Sequence, residues 1–374
     1  MTSEYDAIVV GGGQSGLAAA HHLRRAGHTV ALLEASAEPV GSWPHYYDSL
    51  TLFSPAKYSS LPGLSFPGAA DRYPHRDEVI DYLRTYAQTL DADIHTGQHV
   101  DTVDYIADRF TVHTSTGENF TAPRLVAATG TFGAPRIPPL LGQDRFNGRI
   151  IHASSYRAPA DFAGQHVIVV GAGNSAVQIA AELADHATVT LASRGPVKFL
   201  PQRPLGRDVH FWFTITGFDT LPIGHLLRTP PTQPVLDDGR YRTAIKNKRP
   251  YARTMFTTLE QDNAIWPDNT RTQVDTIILA TGYTPNLRYL NAIGALTDTG
   301  TPRHRKGIST THPGLGYVGL EWQRTPSSNS LRGVGADAAY ISQNLQVPTR
   351  SEPRPPAPHS SIRSSVTSAP CSTS

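Results

Sequence analysis

The stretch Asp6–Glu34, DAIVVGGGQSGLAAAHHLRRAGHTVALLE, decides the fold. Ala7–Val10 is a short apolar run of the kind that forms a strand buried in a parallel sheet. Gly11, Gly12, Gly13, Gln14, Ser15 and Gly16 follow, then a helical run Leu17–Ala26 closed by Gly27. A second strand, Thr29–Leu33, delivers Glu34, 23 positions after Gly11 (34 − 11). The order is strand, G-x-G-x-x-G, helix, strand, acid. Gly11 permits the tight turn and Gly13 lets a pyrophosphate approach the backbone. Gly16 lets helix and strand pack closely, and the helix N-terminus supplies N–H groups and the positive end of its dipole. Glu34 can accept hydrogen bonds from a ribose. A lone glycine motif also occurs in turns that hold no ligand; here the strand, helix and acid are all in register with it.

A second copy lies further on. Val167–Val170 is its strand, Gly171-Ala-Gly173-Asn174-Ser175-Ala176 its turn, and Val177–Leu183 its helix. The next strand, Val189–Ala192, ends in Ser193 and Arg194. Ala176 replaces the third glycine, a position that needs only a small residue. Arg194 stands 23 positions after Gly171 (194 − 171), where the first copy has Glu34. A carboxylate there accepts from a free ribose 2′-hydroxyl and repels a 2′-phosphate. An arginine does the reverse. The first unit is therefore expected to hold a dinucleotide without that phosphate, such as FAD, and the second NADPH in preference to NADH. The competing reading of Arg194 is an ordinary surface arginine.

Composition removes several function classes. The 374 residues suffice for two to three domains, and 39% hydrophobic with 17% charged residues fits a globular chain rich in loops, with 30 prolines. A net charge of +2, with no basic cluster interleaved with aromatics, argues against a nucleic-acid partner. Neither a signal peptide nor a membrane-length apolar run is read, so the expected compartment is the cytoplasm. Cys371 is the only cysteine, which excludes an internal disulfide, a C-x-x-C redox pair and a thiolate metal site. Oligomeric state is not encoded in any pattern here.

Between the two copies, Leu50–Pro67 reads as proline-rich loop. Trp43, Tyr46, Phe53 and Tyr58 either wall a flat aromatic cofactor or pack that loop. Arg76–Leu90 has the spacing of an amphipathic helix and Val100–Phe120 that of an antiparallel meander. Leu125–Gly130 and Asp275–Tyr283 are buried strands ending in glycine, and Gly130 and Gly282 mark where the chain passes between the two nucleotide units. Phe199–Pro250 reads as irregular, with the aromatic patch His210–Phe213 as packed loop or substrate wall. Tyr317–Leu320 reads as a last strand and Ala336–Leu345 as a last helix, which either directs its N–H groups at the cofactor or is simply capped by Gly335. Beyond Pro348 no periodicity remains, and the composition is that of a disordered tail. The expected fold is α/β, with two Rossmann-like dinucleotide-binding domains, the NADPH domain inserted in the FAD domain. The expected ranges are 1–156 and 271–346 for FAD, 157–270 for NADPH, and 347–374 for the tail.

Taken together, these residues resemble the flavin-containing monooxygenases. The stretch Phe146-x-Gly148-xxx-His152-xxx-Tyr156 is similar to that family's fingerprint, and both glycine motifs and the ATGY ending at Tyr283 stand in the family's order. Tyr156, where the Baeyer–Villiger group has Trp, favours the heteroatom-oxidising branch. GSWPHYYDSLTLFSPAKYSSLPG and GLEWQRTPSSNSLRGVGADA are similar to bacterial flavoproteins found with arsenic-resistance genes. The resemblance implies tightly bound FAD, reduced by NADPH, which reacts with molecular oxygen to form a C4a-hydroperoxyflavin that oxidises a soft small-molecule nucleophile. Sulfur, nitrogen and organoarsenical substrates all qualify; inorganic arsenite fits poorly, because soft arsenic prefers thiolates. His152 and Tyr156 are then closure and positioning residues. Loop Leu52–Tyr58 lacks the asparagine common beside the flavin, so its role falls to Ser54, backbone groups or bound NADP⁺, or the stabilisation is weaker. A reductase or oxidase without oxygen insertion, and a flavin-binding redox-responsive partner protein, are the alternatives.

Overall fold

The computed structural model describes residues 2–227, 231 and 233–347, so the tail from Pro348 lies outside the described residues. Ala7–Val10 and Val30–Leu33 are buried along their whole length and pair in parallel. They sit in a seven-stranded sheet ordered His304–Arg305, Ile308–Ser309, Leu315–Tyr317, Leu125–Ala127, Ala7–Val10, Val30–Leu33, Asp93–His95. From Leu315–Tyr317 to Asp93–His95 every pairing is parallel. Because side chains alternate faces along a strand, Val9 joins a core with Leu17 and Leu23 of helix Gln14–Arg25 and Val334 and Ile341 of helix Leu331–Asn344. Ile8 and Val10 face the other way, onto Val103, Phe110 and Phe120. Those belong to an antiparallel meander, Val100–Ile106, Arg109–Thr114 and Asn119–Ala122, extended by Thr2–Glu4.

The second copy builds an all-parallel sheet ordered Arg149–His152, Thr276–Leu279, His166–Val170, Thr188–Ser193, Tyr251–Thr254. Helix Asn174–Leu183 covers one face, through Val177 and Leu183 against Val167 and Val169. A three-stranded antiparallel sheet covers the other, with Leu259, Ala264 and Trp266 against Ile168 and Val170. Among the described residues no helix is long and apolar enough to cross a membrane.

Two of the expected domain boundaries do not follow the sheets. Arg149–His152 and Thr276–Leu279, assigned by sequence to the first domain, pair with each other and belong to the second sheet. A buried apolar strand reads alike in either sheet, so its partner is not written in its own residues. Between the two sheets, Ala134–Pro135 pairs antiparallel with Tyr283–Thr284, directly after Gly130 and Gly282. The last helix starts at Leu331 rather than Ala336, with Gly333 and Gly335 inside it. A Cβ on Gly333 would fall 2.2 Å from the Ser327 carbonyl oxygen, and one on Gly335 2.7 Å from Pro62 Cγ. These glycines permit close packing and do not cap the helix. The strand expected over Tyr317–Leu320 ends at Tyr317 instead. Phe199–Pro250, expected to be irregular, contains helices Val209–Ile215 and Arg240–Lys246 and the parallel pair Phe199–Pro201 with Val235–Asp237.

Candidate active site

Both glycine turns open into one cleft between the sheets. Its volume is about 1500 Å³, beyond the roughly 300–1,000 Å³ of a site for one small ligand. Gly11, Gly13, Gln14, Ser15 and Glu34 line one end, and Gly171, Gly173, Asn174, Ser175, Ser193 and Arg194 line the other. Trp43, Ser54, Gly130, His152 and Gly282 line it between them. Gly16 lies behind the turn: a Cβ there would fall 1.7 Å from the Gly11 carbonyl oxygen, so helix and strand need its hydrogen.

The chain meets the requirements of two dinucleotides. Helices Gln14–Arg25 and Asn174–Leu183 both begin at a glycine with no side-chain cap and no acid in the first turn, leaving their N–H groups for an anion. A Cβ on Gly173 would meet nothing within 4 Å, so its backbone stands open to the cleft. Glu34 is 6% exposed. Its Oε2 accepts from Gly12 N–H at 2.6 Å, while Oε1 accepts from the Ser36 N–H at 2.8 Å and the Ser36 hydroxyl at 2.5 Å. A carboxylate has about four acceptor sites, so one on Oε2 remains for a ribose hydroxyl. The Arg194 side chain is exposed on the cleft and has no hydrogen-bond or ion-pair partner among the described residues; the side chain of Lys198, also exposed on the cleft, is alike. Two unpaired cations at one end and a buried carboxylate at the other match a 2′-phosphate and a free ribose respectively.

Between the two ends the wall is aromatic. Trp43 Nε1 donates to Gln14 Oε1 at 3.1 Å, and Gln14 Nε2 donates to the Asn329 carbonyl at 3.1 Å. Trp43, Tyr46, Phe132, Tyr283 and His152 then follow edge to face in sequence, with centroids 4.9–6.2 Å apart. Phe53 also lines the cleft, whereas Tyr58 turns away toward His210. The aromatic patch His210–Phe213 does not reach the cleft.

His152 and Tyr156, expected to close and position the site, and Ser54, expected beside the flavin, fall in three different settings. His152 accepts the Ser154 N–H on Nδ1 at 3.1 Å, so Nε2 carries the proton and donates to the Gly282 carbonyl at 3.0 Å. Burial lowers its pKa below 6.5, partly opposed by the Gly282 bond. It is a neutral side chain tying one crossover to the other. Tyr156 does not line the cleft. It is fully buried against Tyr47 and Phe162, and its hydroxyl donates to Glu182 Oε2 at 2.8 Å. Burial, with Glu182 alongside, pushes its phenol above the ordinary range, and the ring packs behind the cleft wall. Ser54 lines the cleft, but the Ser59 hydroxyl donates to the Pro55 carbonyl at 3.0 Å. The Ser54 hydroxyl shares a hydrogen bond with Ser59 Oγ at 2.9 Å.

Asn329, Arg332, Arg288 and Gln98 also line the cleft. Asn329 and Arg332 lie within the segment GLEWQRTPSSNSLRGVGADA that carries the family resemblance, whereas nothing in the sequence around Arg288 or Gln98 marks them.

The site and fold define a two-nucleotide flavoprotein oxidoreductase. The chain belongs to the pyridine nucleotide-disulphide oxidoreductase family, which residues 8–205 match, and within it to the flavin-containing monooxygenases, whose cofactors are FAD and NADPH. It is 32% identical over 343 residues to a CzcO-like oxidoreductase of Geobacillus kaustophilus, covering 91% of this chain and 98% of that one. It is 30% identical over 389 aligned positions to the indole-3-pyruvate monooxygenase YUCCA1 of Oryza sativa, covering 93% of each. The solved flavin-containing monooxygenase of Stenotrophomonas maltophilia is similar with a TM-score of 0.81 and 29% identity, over 92% of this chain and 98% of that one.

Proposed function

We propose that this chain is an NADPH-dependent, FAD-containing monooxygenase that transfers one atom of molecular oxygen to a soft nucleophilic small molecule. The nucleophile is a sulfur, nitrogen or organoarsenical centre. One NADPH, one proton, one O₂ and the substrate give NADP⁺, water and the oxygenated product. One observation carries the reading: two dinucleotide turns face each other across one cleft, while the sequence has no cysteine except Cys371. Hydride can enter, and no dithiol can take the electrons onward.

The bound flavin supplies hydride acceptance and oxygen activation. The residues of the chain bind, orient and exclude water. Glu34 and the Gln14–Arg25 N-terminus anchor one nucleotide. Arg194, Lys198 and the Asn174–Leu183 N-terminus anchor the other. Gln14, held between Trp43 and Asn329, fixes the indole on the cleft wall. Neutral His152 locks the crossover at Gly282 without offering a charge.

A reductase or oxidase that releases peroxide is the second reading, and Ser54 favours it. With its hydroxyl bonded to Ser59 and no asparagine in Leu52–Tyr58, that loop offers no side-chain amide to the cleft. Purified enzyme given NADPH and a thioether, a tertiary amine or a methylated trivalent arsenical separates the two. Oxygenated product in step with NADPH consumption supports the monooxygenase. Peroxide in step with NADPH, whatever the nucleophile, supports the oxidase.

A further inference from the structure

Between the parallel pair Phe199–Pro201 and Val235–Asp237 the chain leaves the second sheet and crosses to the flavin side. Two buried carboxylates fasten it there. Asp208 is 9% exposed at its side chain. Its Oδ2 accepts from the Tyr73 hydroxyl at 2.5 Å and from Gln202 Nε2 at 2.8 Å, and its Oδ1 from His210 N–H at 2.9 Å and His210 Nδ1 at 2.7 Å. Burial pushes this carboxyl up, but the bonds from His210, Tyr73 and Gln202 outweigh it and hold it at about 2. Gln202 Nε2 also reaches the Phe53 carbonyl at 3.0 Å. Asp219 takes Arg332 through two oxygens, Nε to Oδ2 at 2.8 Å and Nη2 to Oδ1 at 3.3 Å. Ser327 Oγ donates to the Asp219 carbonyl at 2.8 Å.

None of residues 202–227 lines the cleft, yet the groups they hold do: Phe53 and Arg332 are both on its wall. Arg332 is the second residue of helix Leu331–Asn344, where a cation opposes the helix dipole. Its presence there is not explained by helix stability. A forked pair with a carboxylate fixes the plane of a guanidinium as well as its position. We propose that Asp219 and Asp208 are positioning residues that set the flavin-side wall of the cleft from the nicotinamide-nucleotide side. Asp219 acts through Arg332, and Asp208 acts through Gln202 and Phe53. This rests on the monooxygenase reading for its catalytic consequence: the two halves keep the register that excludes water only while both carboxylates hold.

The test uses the full-length FAD-bound protein with Asp219→Asn, Asp219→Glu and Tyr73→Phe. Flavin content, NADPH affinity, visible circular dichroism of the bound flavin, kcat, KM and the share of NADPH recovered as peroxide are measured. Asp219→Asn and Tyr73→Phe are expected to keep flavin content and NADPH affinity. They should change the flavin dichroism, lower kcat at unchanged KM and raise the peroxide share several-fold, with Asp219→Glu restoring part of each. Dichroism and peroxide share equal to wild type would overturn the proposal. Flavin loss from both Asp219→Asn and Tyr73→Phe would also overturn it, by marking these bonds as supports of the fold. If wild type itself forms peroxide alone, the monooxygenase reading fails, and the dichroism still decides the positioning role.

Discussion

Glu34 and Arg194 stand at equivalent points of two like folding units, each at the end of the strand that pairs in parallel with the strand entering the glycine turn. Their surroundings are opposite. Glu34 is buried with donors on both oxygens, and the Arg194 side chain is exposed with no partner among the described residues. The same backbone geometry is thus chemically polarised, with an acceptor suited to a ribose at one end and a cation suited to a phosphate at the other.

Arg194→Ala is expected to weaken NADPH and leave NADH nearly unaffected. A hydrogen bond to a charged group contributes about 1.5–3 kcal/mol, roughly 10- to 150-fold in affinity. Lys198 is near enough in the chain to hold the loss to the lower part of that range. Titration of both nucleotides checks this; equal losses would identify a structural arginine.

Glu34→Ala removes the acceptor of two backbone N–H groups, Gly12 and Ser36, and of the ribose. Each buried donor left unpaired costs about 1–3 kcal/mol. The flavin-to-protein ratio after purification should fall, and an unchanged ratio would refute the assignment of the first unit.

Tyr156→Phe separates a packing role for that residue from a role in the chemistry. Loss of its hydroxyl leaves Glu182 without this donor and is expected to cost about 1–3 kcal/mol of stability. The melting temperature should drop while NADPH affinity and coupling stay as in wild type. A selective loss of coupling at unchanged stability would return Tyr156 to the chemistry.

His152 makes a prediction with a definite sign. Its folded pKa lies below the ordinary 6.5 because burial disfavours the charged ring. Below about pH 6.5 the unfolded chain therefore binds more protons at this site, and stability falls as pH falls. His152→Gln should flatten that part of the stability–pH curve relative to wild type. Denaturant midpoints between about pH 5 and 7.5 check it; parallel curves would show that other histidines with lowered pKa, such as the half-buried His304, carry the whole dependence.

The parts legible in the sequence are those whose chemistry is local. Gly11 to Glu34 and Gly171 to Arg194 each lie within one strand–helix–strand unit, so their spacing alone implied two nucleotides. Long-range pairs left no such trace. Arg332 and Asp219 are 113 residues apart, and Tyr156 reads as functional until its hydroxyl is seen on Glu182. Gly335 reads as a cap that starts the last helix at Ala336, because a glycine inside a helix costs about 1 kcal/mol. The approach of Ser327 and Pro62, which admits no Cβ, overrides that preference.

A monooxygenase delivers one atom of O₂ to its substrate. Isotopically labelled O₂ supplied to the enzyme with NADPH and a thioether tests it most directly, by mass spectrometry of the product alongside peroxide and NADPH assays. One labelled atom is expected in each sulfoxide, formed in step with NADPH consumption apart from a minor peroxide share. Unoxidised thioether, with all the electrons recovered as labelled peroxide, would contradict it.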